Sequence, residues 1–450
     1  MRISTVILAA GHGTRMRSDT PKVLHQLLGR PMASYSIDSA RQASGTKPIL
    51  VIGYGQDQVR QVLGETAEYV VQDPQLGTGH AVLQTKTKLE GRCDLVLVAY
   101  ADMPLISSDI LIKLVEAQST HKGPITMLTV IAEDPRGFGR VLRDQQGNVL
   151  EVIEEAQATP EQMEIRELNS GVYCFEAEWL WQALEKIQLS PKGEYYLTDL
   201  VGIATSQDLP VQAFVSENKE EVIGINTRVH LAETAAILRR RINEHWMLAG
   251  VSIIDPATTY IELGVTIGRD TLIWPNTYLH GDTSVGDNCE LGPNTIIHHT
   301  QIGNNCKVLA SVLEKAVVED NVNIGPFGHL RKGAHLAQCV HMGNFGEVKN
   351  SYLGPGTKMG HFSYIGDTTT GEDVNIGAGT ITCNFDGKNK NHTEIGAGAF
   401  IGSDTMLVAP IEIGEGARTG AGAVVTRKVP PYSLAVGMPA RTIKKVEKSD

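Results

Sequence analysis

Three clusters in this chain carry groups that could do chemistry. The first is the run Leu8-Ala9-Ala10-Gly11-His12-Gly13-Thr14-Arg15-Met16, with Lys22 shortly beyond it. Small residues let backbone N–H groups approach phosphate oxygens, and Arg15 with Lys22 would neutralise a triphosphate. A bare G-x-G also describes an ordinary tight turn. The dinucleotide fingerprint fails because Met16 stands where its third glycine belongs, and the Walker A lysine pattern is missing. The second cluster is Tyr100-Ala101-Asp102, closing the apolar run Leu95–Val98. A carboxylate there suits Mg²⁺, or it caps the next turn. Between the two lie Gln72 and Leu76-Gly77-Thr78-Gly79-His80-Ala81. A glutamine amide can pair with the donor–acceptor edge of a pyrimidine, and it can equally be a plain exposed polar group. The third cluster is Arg331, Lys349 and His361. Arg331 and Lys349 each follow an inward aliphatic, Leu330 and Val348, eighteen residues apart. Stacked cations repel unless an anion lies near, and a phosphate fits; two solvated cations are the plainer reading. A neutral imidazole such as that of His361 can take a proton from an attacking amine.

Two kinds of element must position these groups. Up to about residue 228 the apolar runs Ser4–Leu8, Ile49–Gly53, Tyr69–Gln72, Leu95–Tyr100 and Thr126–Ile131 read as buried strands. Helical stretches such as Met32–Ala43 and Gln56–Leu63 alternate with them, which predicts a mostly parallel, Rossmann-like α/β sheet. Ligands of such sheets sit beyond the carboxyl ends of the strands. Residues 229–250 read as one connecting helix with Leu231, Ala235, Leu238, Ile242 and Trp246 along one stripe. Arg239-Arg240-Arg241 would spread over its solvated face, and Gly250 would end it.

Over 251–450 the period changes to six. Ile267, Ile273, Leu279, Val285, Leu291 and Ile297 are six apart, each of the first five followed four later by Thr271, Thr277, Thr283, Cys289 or Thr295. The pattern returns at Ile395, Ile401, Leu407, Ile413, Thr419 and Val425. Such a repeat is the signature of a parallel β-helix, with one aliphatic per hexad inward and three hexads per coil. The polar segment Cys383–His392 breaks the phase and must project from the prism.

Composition narrows the function. The net charge of −11 over 450 residues gives no global attraction to nucleic acid or anionic lipid. The six cysteines form no C-x-x-C pair, which argues against a zinc site or disulfide framework and for a reducing cytoplasm. No run approaches the roughly 18 apolar residues of a membrane span, and the N-terminal apolar run is too short for a signal.

These features occur in the order of one family. The segments LAAGHGTRM, PKVLH, QLGTGHA, YAD, GFGR, ELNSG, GEYYLTD and EVIGIN, followed by the hexads, resemble the bifunctional N-acetylglucosamine-1-phosphate uridyltransferase/glucosamine-1-phosphate acetyltransferases over essentially the full length. The resemblance implies a uridyltransferase domain, 1–228, and a left-handed β-helix acetyltransferase domain, 251–450. It places Leu8, Ala9, Ala10, Gly11, Arg15 and Lys22 on UTP, with Gln72, Gly77 and Thr78 reading uracil. Tyr100, Gly139, Glu154, Asn169, Glu194, Tyr196 and Thr198 would line the sugar side, and Asp102 with Asn226 would hold Mg²⁺. In the second domain it implies His361 as base, polarised by Glu347, with Arg331 and Lys349 on the sugar phosphate. Tyr364, Asn375 and Lys390 would bind the amino sugar; Ala378, Asn384, Phe385, Ser403 and Ala421 would meet acetyl-CoA. It further implies a homotrimer acting on small molecules in the cytoplasm.

The chain departs from the family at Phe385, where tyrosine is usual, at Lys332 after Arg331, and at Gly328-His329. An arginine expected near Met438 is missing; Arg441 could replace it. Two other readings stay open at this level. One is nucleotidyl transfer alone with a degenerate β-helix, against which His361, Asn384 and Lys349 stand. The other is a non-catalytic scaffold, which loss of Arg15, Lys22 or Asp102 would have supported.

Overall fold

In the computed structural model, which describes residues 1–445, the chain divides into two compact units meeting at Leu238/Arg239. The first unit contains β1 Ile3–Ala9, α1 Met32–Ser44, β2 Ile49–Ile52, α2 Gln56–Leu63, β3 Glu68–Val71, α3 Thr78–Leu83 and β4 Leu95–Tyr100. It continues with α4 Ser108–Thr120, β5 Ile125–Ile131, the hairpin β6 Arg140–Arg143 and β7 Val149–Ile153, β8 Glu167–Glu176, α5 Ala177–Leu184, α6 Asp199–Thr205 and β9 Val211–Ser216. The final helix α7, Arg228–Leu248, runs across the division.

The sheet order is β9-β5-β8-β4-β1-β2-β3, with β6 joined to β8. Runs such as Val6, Ile7, Leu50, Val51, Leu97 and Val98 are fully buried, because helices cover both faces of these central strands. All pairs in the main sheet are parallel except the β6–β7 hairpin and those of β8, which runs antiparallel to both β4 and β5. β8 is the longest of these strands, and its register with β5 shifts between Asn169 and Tyr173. That irregularity interrupts the ladder just after Asn169, which itself still pairs with Thr129.

Within α7, Leu238 and Ile242 are buried, as are Thr234 and Asn243. Asn243 Nδ2 donates to the carbonyls of Pro256 and Thr259, at 2.9 and 3.1 Å. The expected solvated face needs one correction: the Arg239 guanidinium stacks over the Tyr260 ring, 4.6 Å from its centre. That ring is where its charge is best placed once the stem is half-buried.

The second unit is a left-handed parallel β-helix with three stacked sheets, one per face of the prism. The inward aliphatics of the repeat are buried, and Thr271, Thr277, Thr283 and Thr295 are fully so. Their hydroxyls stay satisfied by backbone carbonyls, for example Thr271 to Gly286 at 2.9 Å and Thr277 to Trp274 at 2.7 Å. Before most of these small residues stands Asp270, Asn276, Asn288 or Asn294, each with φ between 54 and 59°. Asn and Asp tolerate this left-handed region better than other non-glycine residues, so they turn the corners. The coil is not uniformly eighteen residues. Ile267 pairs with Val285 eighteen on, but Val285 pairs with Ile302 and Ile297 with Leu313, because some corners are shorter.

Candidate active sites

At the carboxyl ends of β1 and β4 a cleft of about 500 Å³ opens. Every residue expected on the nucleotide and sugar side lines it except Arg15, which lies exposed on the short turn Thr14–Met16. One wall is Leu8–Gly11. Another is Gln72, Gly77 and Thr78. The hairpin and β8 bring in Gly139, Glu154 and Asn169.

Two side chains from far apart in sequence meet one cation. The Lys22 ammonium contacts Asp102 Oδ2 and lies 3.2 Å from Asn226 Oδ1. Lys22 was expected on a triphosphate; here it sits on the pair expected to hold a metal. Its side chain is only 15% exposed and that of Asp102 18%, so each ion needs the other.

The uracil side is ordered by neutral contacts. Gln72, nearly buried, donates through Nε2 to the Gly77 carbonyl at 2.9 Å and touches His80 Nδ1 at 3.1 Å. Burial holds the His80 pKa below its ordinary value, which favours the neutral ring that an amide can bond. Residues 76–79 are stitched to the segment carrying Glu194, Tyr196 and Thr198. Tyr195 N donates to Leu76 O and Gly79 N to Tyr195 O, both at 2.8 Å, and Leu197 N donates to Thr78 Oγ1 at 3.0 Å.

The sugar side is a polar network. Thr198 Oγ1 donates to Glu154 Oε1 at 3.0 Å, and Asn169 Nδ2 to Tyr173 Oη at 2.7 Å. Desolvation, with Asp102 and Glu154 nearby, pushes the Tyr100 phenol well above its usual pKa. Asp199, which sequence reasoning missed, is half-buried behind Thr198. Burial and then the Glu154 charge raise its carboxyl to about 6. The segment Thr198-Asp199 at a helix start was the only signal for it.

In the second unit a groove of about 720 Å³ gathers His361, Asn375, Ala378, Ser403 and Ala421, together with His341, Lys358 and Phe400. These last three were not anticipated. His341, Lys358, Asn375 and Phe400 stand at one register position on successive coils, which only the folded stacking reveals.

Arg331, Lys349, Tyr364, Lys390, Asn384, Phe385 and Arg441 do not line that groove. Arg331 and Lys349 do stack, since Leu330 pairs with Val348. The anion near them is internal: Arg331 Nη1 lies 2.9 Å from Glu347 Oε1. Glu347 was expected to polarise His361. It bonds Arg331 instead, because it points from the neighbouring coil toward that guanidinium. Asn384 donates to Asp367 Oδ2 at 2.5 Å and approaches Tyr364 Oη at 3.4 Å.

The projecting segment is a small hairpin bridged between Phe385 and Lys390, whose ammonium lies 4.6 Å from the Phe385 ring centre. Asp386 ties it together, accepting from Asn389 N, Lys388 N and the Asn391 amide. The Asn389 backbone and then the Asn391 amide lower its carboxyl to about 2. Arg441 is exposed, and its guanidinium bonds the neighbouring Ala440 carbonyl at 3.3 Å.

Comparison with known proteins agrees with both halves. Residues 5–168 match the MobA-like NTP transferase domain, and residues 264–299 and 392–427 match the bacterial transferase hexapeptide repeats. The bifunctional protein GlmU of Syntrophomonas wolfei is 45% identical over 97% of both chains. That of Heliobacterium modesticaldum is 44% identical over 98% of this chain and 96% of its own. That of Geobacillus sp. WCH70 is 43% identical over the same shares. With nearly the whole length of these relatives matched, an α/β nucleotidyltransferase unit and a hexapeptide-repeat unit in one polypeptide, the chain belongs to the GlmU family of bifunctional transferases.

Proposed function

We propose a division of labour between the two sites in the chemistry of this family. The enzyme transfers acetyl from acetyl-CoA to glucosamine-1-phosphate, then joins the N-acetylglucosamine-1-phosphate to UTP, giving UDP-N-acetylglucosamine and pyrophosphate. The convergence of nearly all expected uridyltransferase residues on one cleft carries the assignment of the second step.

In that cleft Leu8–Gly11 present backbone N–H groups to phosphate, and Arg15 lies beside the phosphate path. Gln72 uses its N–H₂ on the protein, which leaves Oε1 for the uracil N–H. Glu154, Asn169, Glu194, Tyr196 and Thr198 take the sugar hydroxyls and acetamide, with Gly139 leaving room for the ring. Positioning and charge neutralisation are what phosphate attack on UTP requires. Asp102 and Asn226 are the pair for Mg²⁺. Their fit is visible in the two oxygens that already converge on one cation. No group of three or more His, Cys, Asp or Glu able to hold a metal occurs among the described residues. Mg²⁺ needs none, since it is commonly held by one or two carboxylates with substrate phosphates. When bound it would offset the charge on the phosphates as pyrophosphate leaves.

In the second unit His361 takes the proton from the glucosamine amine as the amide forms. Arg331 and Lys349 hold the sugar phosphate. Tyr364, Asn375 and Lys390 hold the amino sugar, and Ala378, Asn384, Phe385, Ser403, Ala421 and Arg441 face acetyl-CoA. Arg331, Lys349, Tyr364 and Lys390 lie outside the groove that holds His361. A homotrimer, with a neighbouring copy closing the gap, would unite them. No helix of the described residues is long and apolar enough to cross a membrane. The free cysteines and the substrates point to the cytoplasm.

The test supplies glucosamine-1-phosphate, acetyl-CoA, UTP and Mg²⁺, with each omitted in turn. Without UTP, thiol release continues and N-acetylglucosamine-1-phosphate accumulates. Without acetyl-CoA, pyrophosphate release stops. Undiminished pyrophosphate release without acetyl-CoA would overturn the order of the two steps. A monomer by light scattering, fully active in acetyl transfer, would overturn the trimer.

A further inference from the structure

Lys22 stands where the metal pair converges. It opens a short turn, Lys22–Leu24, whose Val23 and Leu24 are buried, so its Cα is fixed. Its stem lies against the phosphate loop: a Cβ at Gly13 would come 2.6 Å from Lys22 Cβ. Only the long flexible end is free to choose between anions. In this structure it meets Asp102 and Asn226, both reached by one ammonium. Because Lys22 and Asp102 are largely withdrawn from water, either ion left alone would be strongly disfavoured. A divalent cation approaching this pair meets a positive charge already seated between the same two oxygens.

We propose that Lys22 is a resident counter-ion, which keeps the Asp102–Asn226 pair closed to a free divalent cation and releases it only when a nucleoside triphosphate draws the ammonium away. This rests on the assignment of Asp102 and Asn226 as the metal pair. The triphosphate, arriving over Gly11 and Gly13, brings the one new anion within reach of a side chain anchored beside that loop. Lys22 then trades a carboxylate for a phosphate oxygen, and the two freed oxygens face the phosphates. Metal and nucleotide thereby bind interdependently. Such couplings are typically about 5–150-fold and reciprocal.

The experiment measures Mn²⁺ binding to the full chain by the loss of its free electron-spin-resonance signal, with and without UTP. The proteins are wild type, Lys22→Met, Lys22→Gln, Lys22→Arg and Asp102→Asn. Without UTP, wild type and Lys22→Arg should bind Mn²⁺ weakly, while both neutral variants bind at least about tenfold tighter, within the usual range of such couplings. Circular dichroism identifies any variant that has not folded, and the Met and Gln variants back each other up. Equal Mn²⁺ affinity in wild type and both neutral variants without UTP would overturn the counter-ion role. The metal-pair assignment fails separately, if Asp102→Asn binds Mn²⁺ with UTP as well as wild type does.

Discussion

Gly77→Ala probes the joint between the uracil wall and the sugar wall. Gly77 takes φ 96° and ψ 178°, a region open essentially to glycine alone. An alanine there is strained by about 1–3 kcal/mol. Its Cβ would also fall 2.7 Å from Tyr195 O and 2.8 Å from Tyr195 N. Both of those atoms are engaged, N with Leu76 O and O with Gly79 N. Backbone must therefore move, weakening two hydrogen bonds worth about 1 kcal/mol each. Together these give a loss of roughly 2–4 kcal/mol. Urea unfolding, followed through Trp179 and Trp181 of the first unit, reads the loss. Because the joint ties Gln72 and Thr78 to Glu194–Thr198, KM should rise for UTP and for N-acetylglucosamine-1-phosphate together. Acetyl transfer should not change. A loss below about 0.5 kcal/mol, or a KM effect confined to UTP, would refute this account of the joint.

Asp199→Asn should stabilise the first unit above about pH 6 and do little near pH 4. The folded pKa lies above the ordinary aspartate value of about 3.9, so the native state favours the proton. That contribution is complete below about 4 and is lost as pH rises through about 6. Melting curves at pH 5 and 8 check it; an equal effect at both would contradict the sign. His361→Ala should lower kcat for acetyl transfer by roughly 10²-fold or more and leave pyrophosphate release alone, as separate product assays would show. Glu347→Gln should act mainly on KM for glucosamine-1-phosphate, because it frees Arg331. A pure kcat loss would instead make Glu347 a partner of the base. Leu291→Ala, in the fully buried column of the β-helix, should cost about 2–5 kcal/mol by calorimetry while uridyl transfer survives.

Much of this architecture could be read from the chain because it is periodic or local. Buried parallel strands are continuous apolar runs, and β4 was legible to the residue. The hexads were plain because one inward position and one corner position recur. The antiparallel insertion of β8 between β4 and β5 was not, since apolar runs carry no direction. Shortened coils after Val285 escaped because a corner can lose a residue without altering the inward aliphatics. The cleft residues were recognised by motif, yet their partners depended on distance between remote segments. Nothing near Lys22 in sequence says that it reaches Asp102, and Glu347 could face either His361 or Arg331 until the coils were stacked.

The projecting hairpin at 384–391 interrupts one coil without disturbing those around it. Thr368 pairs across it with Thr393, Ile381 with Met406, and Leu407 resumes an ordinary coil with Val425. In a stack where each layer touches only its neighbours, stability is close to a sum of adjacent interfaces. Material extruded at a corner enters none of them. Doubling the length of such an excursion adds only about 0.6 kcal/mol of closure entropy. This corner is thus a port at which new recognition elements can be grafted or exchanged. Acceptor preference could diversify there, in the laboratory or over evolutionary time, while the prism beneath keeps its register.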